Sequence, residues 1–472
     1  MIYRFRTAEA LLDRFHELDN QEIYFASPKE LNDPMEGFKD LFWKGDEIVW
    51  KNFLINYVKS LEAFFSLTVL TAETVKLKDE DIKVLSHRSA MHPPEHKKLM
   101  DDIIKEIFAY KYISTIPKSL ANRASPVRRE ELLSYLNFFH QYVINAISKL
   151  YFEKGYTDQK YFYNSSEEFD ELQSSVGNMV ELINAIESEN GKSVVDTLFT
   201  VTIQMMTQVK LRGKKSIGEK ELNTNSFLLV SEFPEKYLSR LEESIYPEWY
   251  TASFLTDNTN SAIWGHYGDN HKGICLIFKT QTDENNKEFL SLDTESGYGS
   301  GGPVRAIRPH RFHKIEYTRK HIEIDFFRSM GRLSKEELNA MWYSDENGNM
   351  SICGEHLNKV DDNKEWKDGY WDNFYKSITT KLDEWAYEKE FRIILNDGFY
   401  QYNDKKDRKL KYDFNDLEGI IFGIKTDIAD KLKAIRIIER KCKENGRKDF
   451  NIYQAYYSKE TGKIEKFKID VF

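Results

Sequence analysis

Cysteine is scarce in this chain of 472 residues: Cys275, Cys353 and Cys442 are the three. They are too few and too dispersed for a disulfide framework or a CxxC metal site, and their odd number suits a reducing compartment. Proline is also sparse, with 10 residues, and no low-complexity segment appears, which argues against long disorder. No run approaches the roughly 18 apolar residues of a membrane span. The opening MIYRFRT carries arginines where an apolar leader would need hydrophobic residues, so a cytoplasmic protein with no membrane partner is the expectation. Positive charge is in deficit, net −9 at pH 7, which disfavours a whole-protein grip on nucleic acid. P-loop, GxSxG and HExxH patterns are all missing, so NTPase, α/β-hydrolase and zincin chemistry lack their signatures.

What is present describes an ordinary globular chain, 40% hydrophobic and 31% charged, long enough for about two to three domains. Ile2–Arg6 alternates as a strand, with Tyr3 and Phe5 on one face and Arg4 and Arg6 on the other. Thr7 is placed to cap a helix carrying Leu11, Leu12, Phe15 and Leu18, and residues 22–26 return as a strand. Ser27-Pro28-Lys29-Glu30 has the form of a capping box and leads into a polar corner with Asn32, Asp33 and Glu36. That corner reads equally as an Asx-type turn or as part of a site.

Residues 45–220 change character. Stretches 101–118, 130–152 and 168–187 have helical spacing of apolar residues, and 194–209 is β-branched enough to leave helix or strand open. The simplest organisation is a core domain of residues 1–44 and 221–472 with a mainly helical insertion at 45–220. Basic residues gather in the insertion: His87, Arg88, His92, His96, Lys97, Lys98, Arg123, Arg128 and Arg129. A solvated helix face is the plain reading; a nucleic-acid or protein contact is the sharper one.

Beyond the insertion, strands are predicted at 227–230, 249–255, 274–278, 314–317 and 417–423. A short helix carries Trp264, His266 and Tyr267, GYGSGG at 297–302 reads as a flexible loop, and a closing hairpin spans 451–470. The richest stretch is LDEWAYEKEFRIIL, residues 382–395. A helix is predicted to end near Ala386, and Phe391, Ile393 and Leu395 then alternate as a strand. On that strand Glu388, Glu390 and Arg392 would share the face opposite the apolar one, about 6–7 Å apart. Two carboxylates and a guanidinium on one face are either a solvated ion pair or a site.

The ordered segments IYRFRT, IYFASPKELNDPMEG, IWGHYGDNHKGICLIF, WAYEKEFRIIL and IIFGIK resemble the bacterial family catalogued as domain of unknown function 2971. The resemblance covers about residues 1–45 and 225–472. It implies a bacterial protein, in some genomes near defence genes, without supplying an activity. The layout also resembles the ADP-ribosyltransferases in outline. There a basic residue on an early strand, an aromatic and a late-strand glutamate split NAD. By that analogy Arg4 or Arg6 would hold the diphosphate, Tyr267 or Trp264 would stack on nicotinamide, and Glu390 or Glu388 would stabilise the oxocarbenium-like ribose.

The expectation is therefore an α+β fold: a mixed, mainly antiparallel sheet built from both ends of the chain, with a large helical insertion. Glu388, Glu390, Tyr267 and His266 are the candidate catalytic residues. Arg4, Arg6, Asn32, Asp33, Glu36, Trp264, His271 and Arg392 are the candidate ligand-binding ones. The ligand would be a nucleotide or other small molecule, with NAD as co-substrate and no metal, since His266, His271 and Cys275 are poorly spaced for zinc. The functional expectation is a toxin-like effector of antiviral defence that uses NAD; the alternative is a non-enzymatic sensor or binding module. A hydrolase pairing Glu388 with Glu36 or Asp33, or a divalent metal held by those carboxylates with His266, is also open.

Overall fold

The structure, a computed structural model, describes residues 1–84, 93–158, 179–222, 224–358, 360–397 and 402–470. The chain forms two compact units, one of Met1–Phe38, Pro247–Ile322 and Tyr375–Phe472, the other of Lys39–Tyr246 and Glu323–Phe374. The second unit thus extends past the predicted insertion at both ends and takes in a later segment. That segment enters by pairing: Glu323–Asp325 lies parallel to Asp40–Trp43, which lies antiparallel to Val127–Arg128.

The first unit is α+β and is built on an eight-stranded sheet. Its strands are β1 (Ile2–Arg6), β2 (Glu248–Leu255), β3 (Ile274–Phe278), β4 (His313–Lys314), β5 (Glu390–Asp397), β6 (Leu417–Phe422), β7 (Asn451–Tyr457) and β8 (Ile464–Lys468). The order across the sheet is β4-β5-β2-β1-β3-β6-β7-β8. Every neighbouring pair is antiparallel except β6 and β7, which run parallel. The first residues of the chain thus lie in the middle of a sheet completed by the last ones.

Alternation along the strands separates two apolar faces. On one, Ile2, Phe254, Leu276, Ile393, Ile420 and Ile452 are buried with Leu11, Leu12 and Leu18 and with Ala434 and Ile438 of the helix Ile428–Glu444. Ala434, Ile438 and Cys442 recur every four residues, which presents one stripe to the sheet. A second sheet adds Leu290, Leu292, Leu410 and Tyr412 to this layer. On the other face a smaller cluster holds Phe5, Leu255, Trp264, Cys275, Ile277 and Ile421 under the short helix Ser261–His266. Asn260 caps that helix, its side chain accepting from the Ala262 N–H at 2.9 Å.

Two local expectations give way to pairing. The helix predicted to reach Ala386 ends at Ile378, because Thr380–Leu382 pairs in parallel with Glu316–Thr318. Residues 297–302 close a hairpin between Glu288–Gly299 and Gly302–Arg311, with Gly302 at φ +112°, instead of forming a free loop. The predicted strand at 227–230 is helical, continuous with the turns around Phe233–Ser244.

The second unit is mainly helical. The helix Glu47–Thr71 is long and apolar enough to cross a membrane by length and composition, yet it is mostly buried within the protein. Trp50, Phe53, Tyr57, Leu61 and Phe65 have no exposure, as expected of a core helix. Residues 194–209, ambiguous by sequence, lie within the helix Lys192–Ser216. The predicted basic face is largely discharged internally. Arg123 is buried between Glu131 and Glu187, Arg128 meets Asp40 and Glu323, Arg129 meets Glu242, and His96 meets Glu62. Lys97 and Lys98 are exposed. His87, Arg88 and His92, and the first part of the 168–187 stretch, lie outside the described residues.

Candidate functional site

The charged cluster forms where a short strand, a turn and the start of β5 succeed one another. Thr380–Leu382 is followed by a 3-10 turn, Asp383–Glu388, and Lys389 then takes φ +49°, which turns the chain into β5 at Glu390. Glu388 is therefore on the turn, and Glu390 and Arg392 are on the strand. They still converge, because the left-handed residue folds the turn back over the strand face.

Arg392 is fully buried and donates to both oxygens of Glu390, at 2.7 and 3.1 Å. It also donates to Glu36 Oε1 at 2.5 Å and to the Ile378 carbonyl at 2.8 Å. Lys381, 5% exposed, reaches Glu390 at 2.8 Å, Glu388 at 2.9 Å and Glu36 at 3.6 Å. The Tyr267 hydroxyl donates to the remaining oxygen of Glu388. The Glu390 N–H donates to the Tyr317 hydroxyl at 2.9 Å.

Three carboxylates thus share two cations in a nearly dry setting, so one negative charge is in excess if all ionise. The excess falls on Glu388. Burial raises its pKa, against the lowering pull of Lys381 and of the Tyr267 hydroxyl. Glu390 is buried as deeply, but Arg392 and then Lys381 overcome the burial and hold it well below the usual carboxylate range. Burial lowers Lys381, yet Glu390, Glu36 and Glu388 together raise it above its ordinary value. Tyr267 is pushed up by burial and by the Glu388 charge, and burial pushes Tyr317 up to about 12. The result is two chemically different glutamates: Glu390 is locked and ionised, while Glu388 has the greater proton affinity.

Above Glu388 the surroundings are aromatic. His266 Nδ1 is 3.1 Å from the Tyr387 hydroxyl, and the Lys381 ammonium lies 5.2 Å from the Trp385 ring centroid. His266 is exposed and Tyr267, Trp385 and Tyr387 are part-exposed, so this side faces solvent.

Of the twelve candidate residues, Glu36, Tyr267, Glu388, Glu390 and Arg392 come together, with His266 beside them. Asp33 is near but acts on the backbone, where its Oδ1 accepts from the Met35 N–H at 2.8 Å and shapes the turn that presents Glu36. Asn32 is exposed. Trp264 is a core residue, edge-on to Phe5 at 4.8 Å, with its indole N–H donated to the Asn258 carbonyl. His271 sits in a left-handed turn at the Arg6 end of the central strands, its carbonyl accepting from the Lys425 N–H at 2.9 Å.

The arginines of β1 require a correction. The expectation that they join the late glutamates in one cleft fails on strand alternation. Tyr3 and Glu390 both pair with Leu255, so Tyr3 shares a face with Glu390, and Arg4 and Arg6 point to the other side. Arg4 is buried there, donating to the Ser253 and Tyr24 carbonyls at 3.2 and 3.0 Å beside the Phe254 ring. Burial lowers its pKa to about 10. Arg6 is paired with Glu17, the Nε–Oε2 distance being 2.7 Å. Lys381 and Tyr317, by contrast, were not singled out by sequence. The available signal was charge balance, since a buried set of three glutamates and one arginine calls for a second cation.

Among the described residues no group of three or more His, Cys, Asp or Glu side chains is arranged to hold a metal ion. The profile of a family described as "Protein of unknown function (DUF2971)" matches residues 263–393. The matched span supports the family resemblance and contains Tyr267, Lys381, Glu388, Glu390 and Arg392. No curated protein and no solved structure matches the chain.

Proposed function

We propose that the protein is an enzyme acting at Glu388 on a nucleotide-containing substrate, with NAD as the co-substrate whose glycosidic bond is broken. The observation that supports this is the contrast between the two glutamates. Glu390 is committed to Arg392, whereas Glu388, beneath the part-exposed Tyr267, has a raised proton affinity and, among the described residues, Lys381 and Tyr267 as its side-chain partners. A carboxylate so placed can stabilise an oxocarbenium-like ribose or hold a proton for the leaving or attacking group. Glu388 is then the catalytic carboxylate, Glu390 with Arg392 and Lys381 fixes its position, and the Tyr387–His266 edge receives the base. NAD loss is harmful to a cell, which suits the toxin-like effector of antiviral defence put forward here.

One observation favours the non-enzymatic reading: each of the three carboxylates is paired, as in a structural clasp. Incubation with NAD separates the two. Nicotinamide release by the wild-type chain, lost in Glu388→Gln at unchanged melting temperature, is the expected result. An absence of turnover, together with a melting temperature that NAD raises, would instead establish a binding module.

A further inference from the structure

With Arg4 and Arg6 on the wrong face, a dinucleotide at Glu388 needs another cation, and the same face of the sheet holds one. The Lys466 ammonium on β8 lies 4.8 Å from the Tyr453 ring centroid and 5.4 Å from that of Tyr3. It is part-buried, and among the described residues no carboxylate pairs with it. Every buried lysine or arginine of the cluster around Glu390 has an acidic partner, so an unpaired ammonium between two tyrosines stands out. The rings supply a favourable quadrupole but leave the charge without an anion. Burial accordingly lowers its pKa.

Its link to the glutamates runs through Tyr3: β8 itself lies six strands from β5, and the Lys466 side chain reaches back across the sheet toward the Tyr3 ring. Tyr3 and Glu390 face each other across Leu255, so their backbones are two strand spacings, about 10 Å, apart on one face. Lys468 follows Lys466 by two residues on that face and lies opposite Tyr453 in the β7–β8 register. Glu465, the acidic residue of this strand, is turned to the other side and bound by Tyr456 and Thr461.

We infer that Lys466, flanked by Tyr3 and Tyr453, is the subsite for the diphosphate of the ligand that reaches Glu388; this rests on the proposed function. The test is calorimetric titration of the full-length chain with ADP and with pyrophosphate at low salt. The wild type is expected to bind both, more weakly as salt rises, and Lys466→Met to bind about 10- to 100-fold more weakly, as loss of one charge-assisted hydrogen bond requires. Lys466→Arg should stay within a few-fold of wild type. If Lys466→Met loses its tertiary circular dichroism, Lys466→Gln is read in its place. Equal affinity in the variants, or no binding of either probe to the wild type, overturns the inference. Lys466-dependent ADP binding without NAD cleavage removes the enzyme reading and leaves the subsite. NAD cleavage with an unchanged KM in Lys466→Met does the reverse.

Discussion

Removing the Lys381 ammonium tests the charge arithmetic of the cluster directly. Lys381→Met keeps an apolar stem beside Trp385 and leaves Glu36, Glu388 and Glu390 with Arg392 alone. If all ionise, the cluster moves from one excess negative charge to two. Breaking a buried pair by deleting one partner costs about 3–5 kcal/mol, far more than an exposed pair would. The pH dependence carries the sharper information. The folded-state pKa of Glu388 lies above its unfolded value, so its contribution is present below that value and is lost as pH rises through the folded pKa. Glu390 has the opposite sign: its contribution is present above the unfolded value and is lost as pH falls toward its depressed folded pKa. Without Lys381 both shifts move upward, so the deficit of the variant should grow with pH. Native-state hydrogen exchange at the β5 amides reports the sheet without interference from the helical unit. The opening free energy should fall by about 3 kcal/mol or more at pH 8 and by clearly less at pH 5. A deficit below about 1 kcal/mol, or one equal at both pH values, would refute the account of three carboxylates sharing two cations.

Two further outcomes follow from the sheet. Arg4→Met should lower the melting temperature, since the Ser253 and Tyr24 carbonyls lose their donor, while leaving the affinity for NAD or ADP within a factor of two. A large loss of affinity at unchanged stability would put the site on the other face. Gly273→Ala places a Cβ 2.4 Å from the Arg6 carbonyl, so the turn ahead of β3 must shift. A cost of about 1–3 kcal/mol is expected by urea denaturation, and a neutral result would mean that the turn yields freely.

Much of the fold was legible because its strands carry two-residue alternation. Ile2–Arg6, the apolar run ICLIF and the FRIIL stretch each became a strand of the large sheet, and the Ser27–Glu30 box formed, with the Ser27 N–H donating to Glu30 at 3.0 Å. Helix ends were less legible where a distant partner decided them. The residues before Ala386 have helical spacing, yet Thr380–Leu382 finds a strand to pair with.

The site divides along the same line. The two-residue period alone put Glu390 and Arg392 on one strand face, as they are, but it also put Glu388 on that strand, whereas Glu388 ends a 3-10 turn and joins the cluster only because Lys389 is left-handed. It also put Tyr3 and Arg4 on opposite faces, as the strand has them. Which of those two faces meets the glutamates depends on the register of β1 and β5 against β2, and register is fixed by packing between segments hundreds of residues apart. The role of Lys381 was likewise set only in three dimensions, where a lone lysine on a three-residue strand became the cation that three glutamates share.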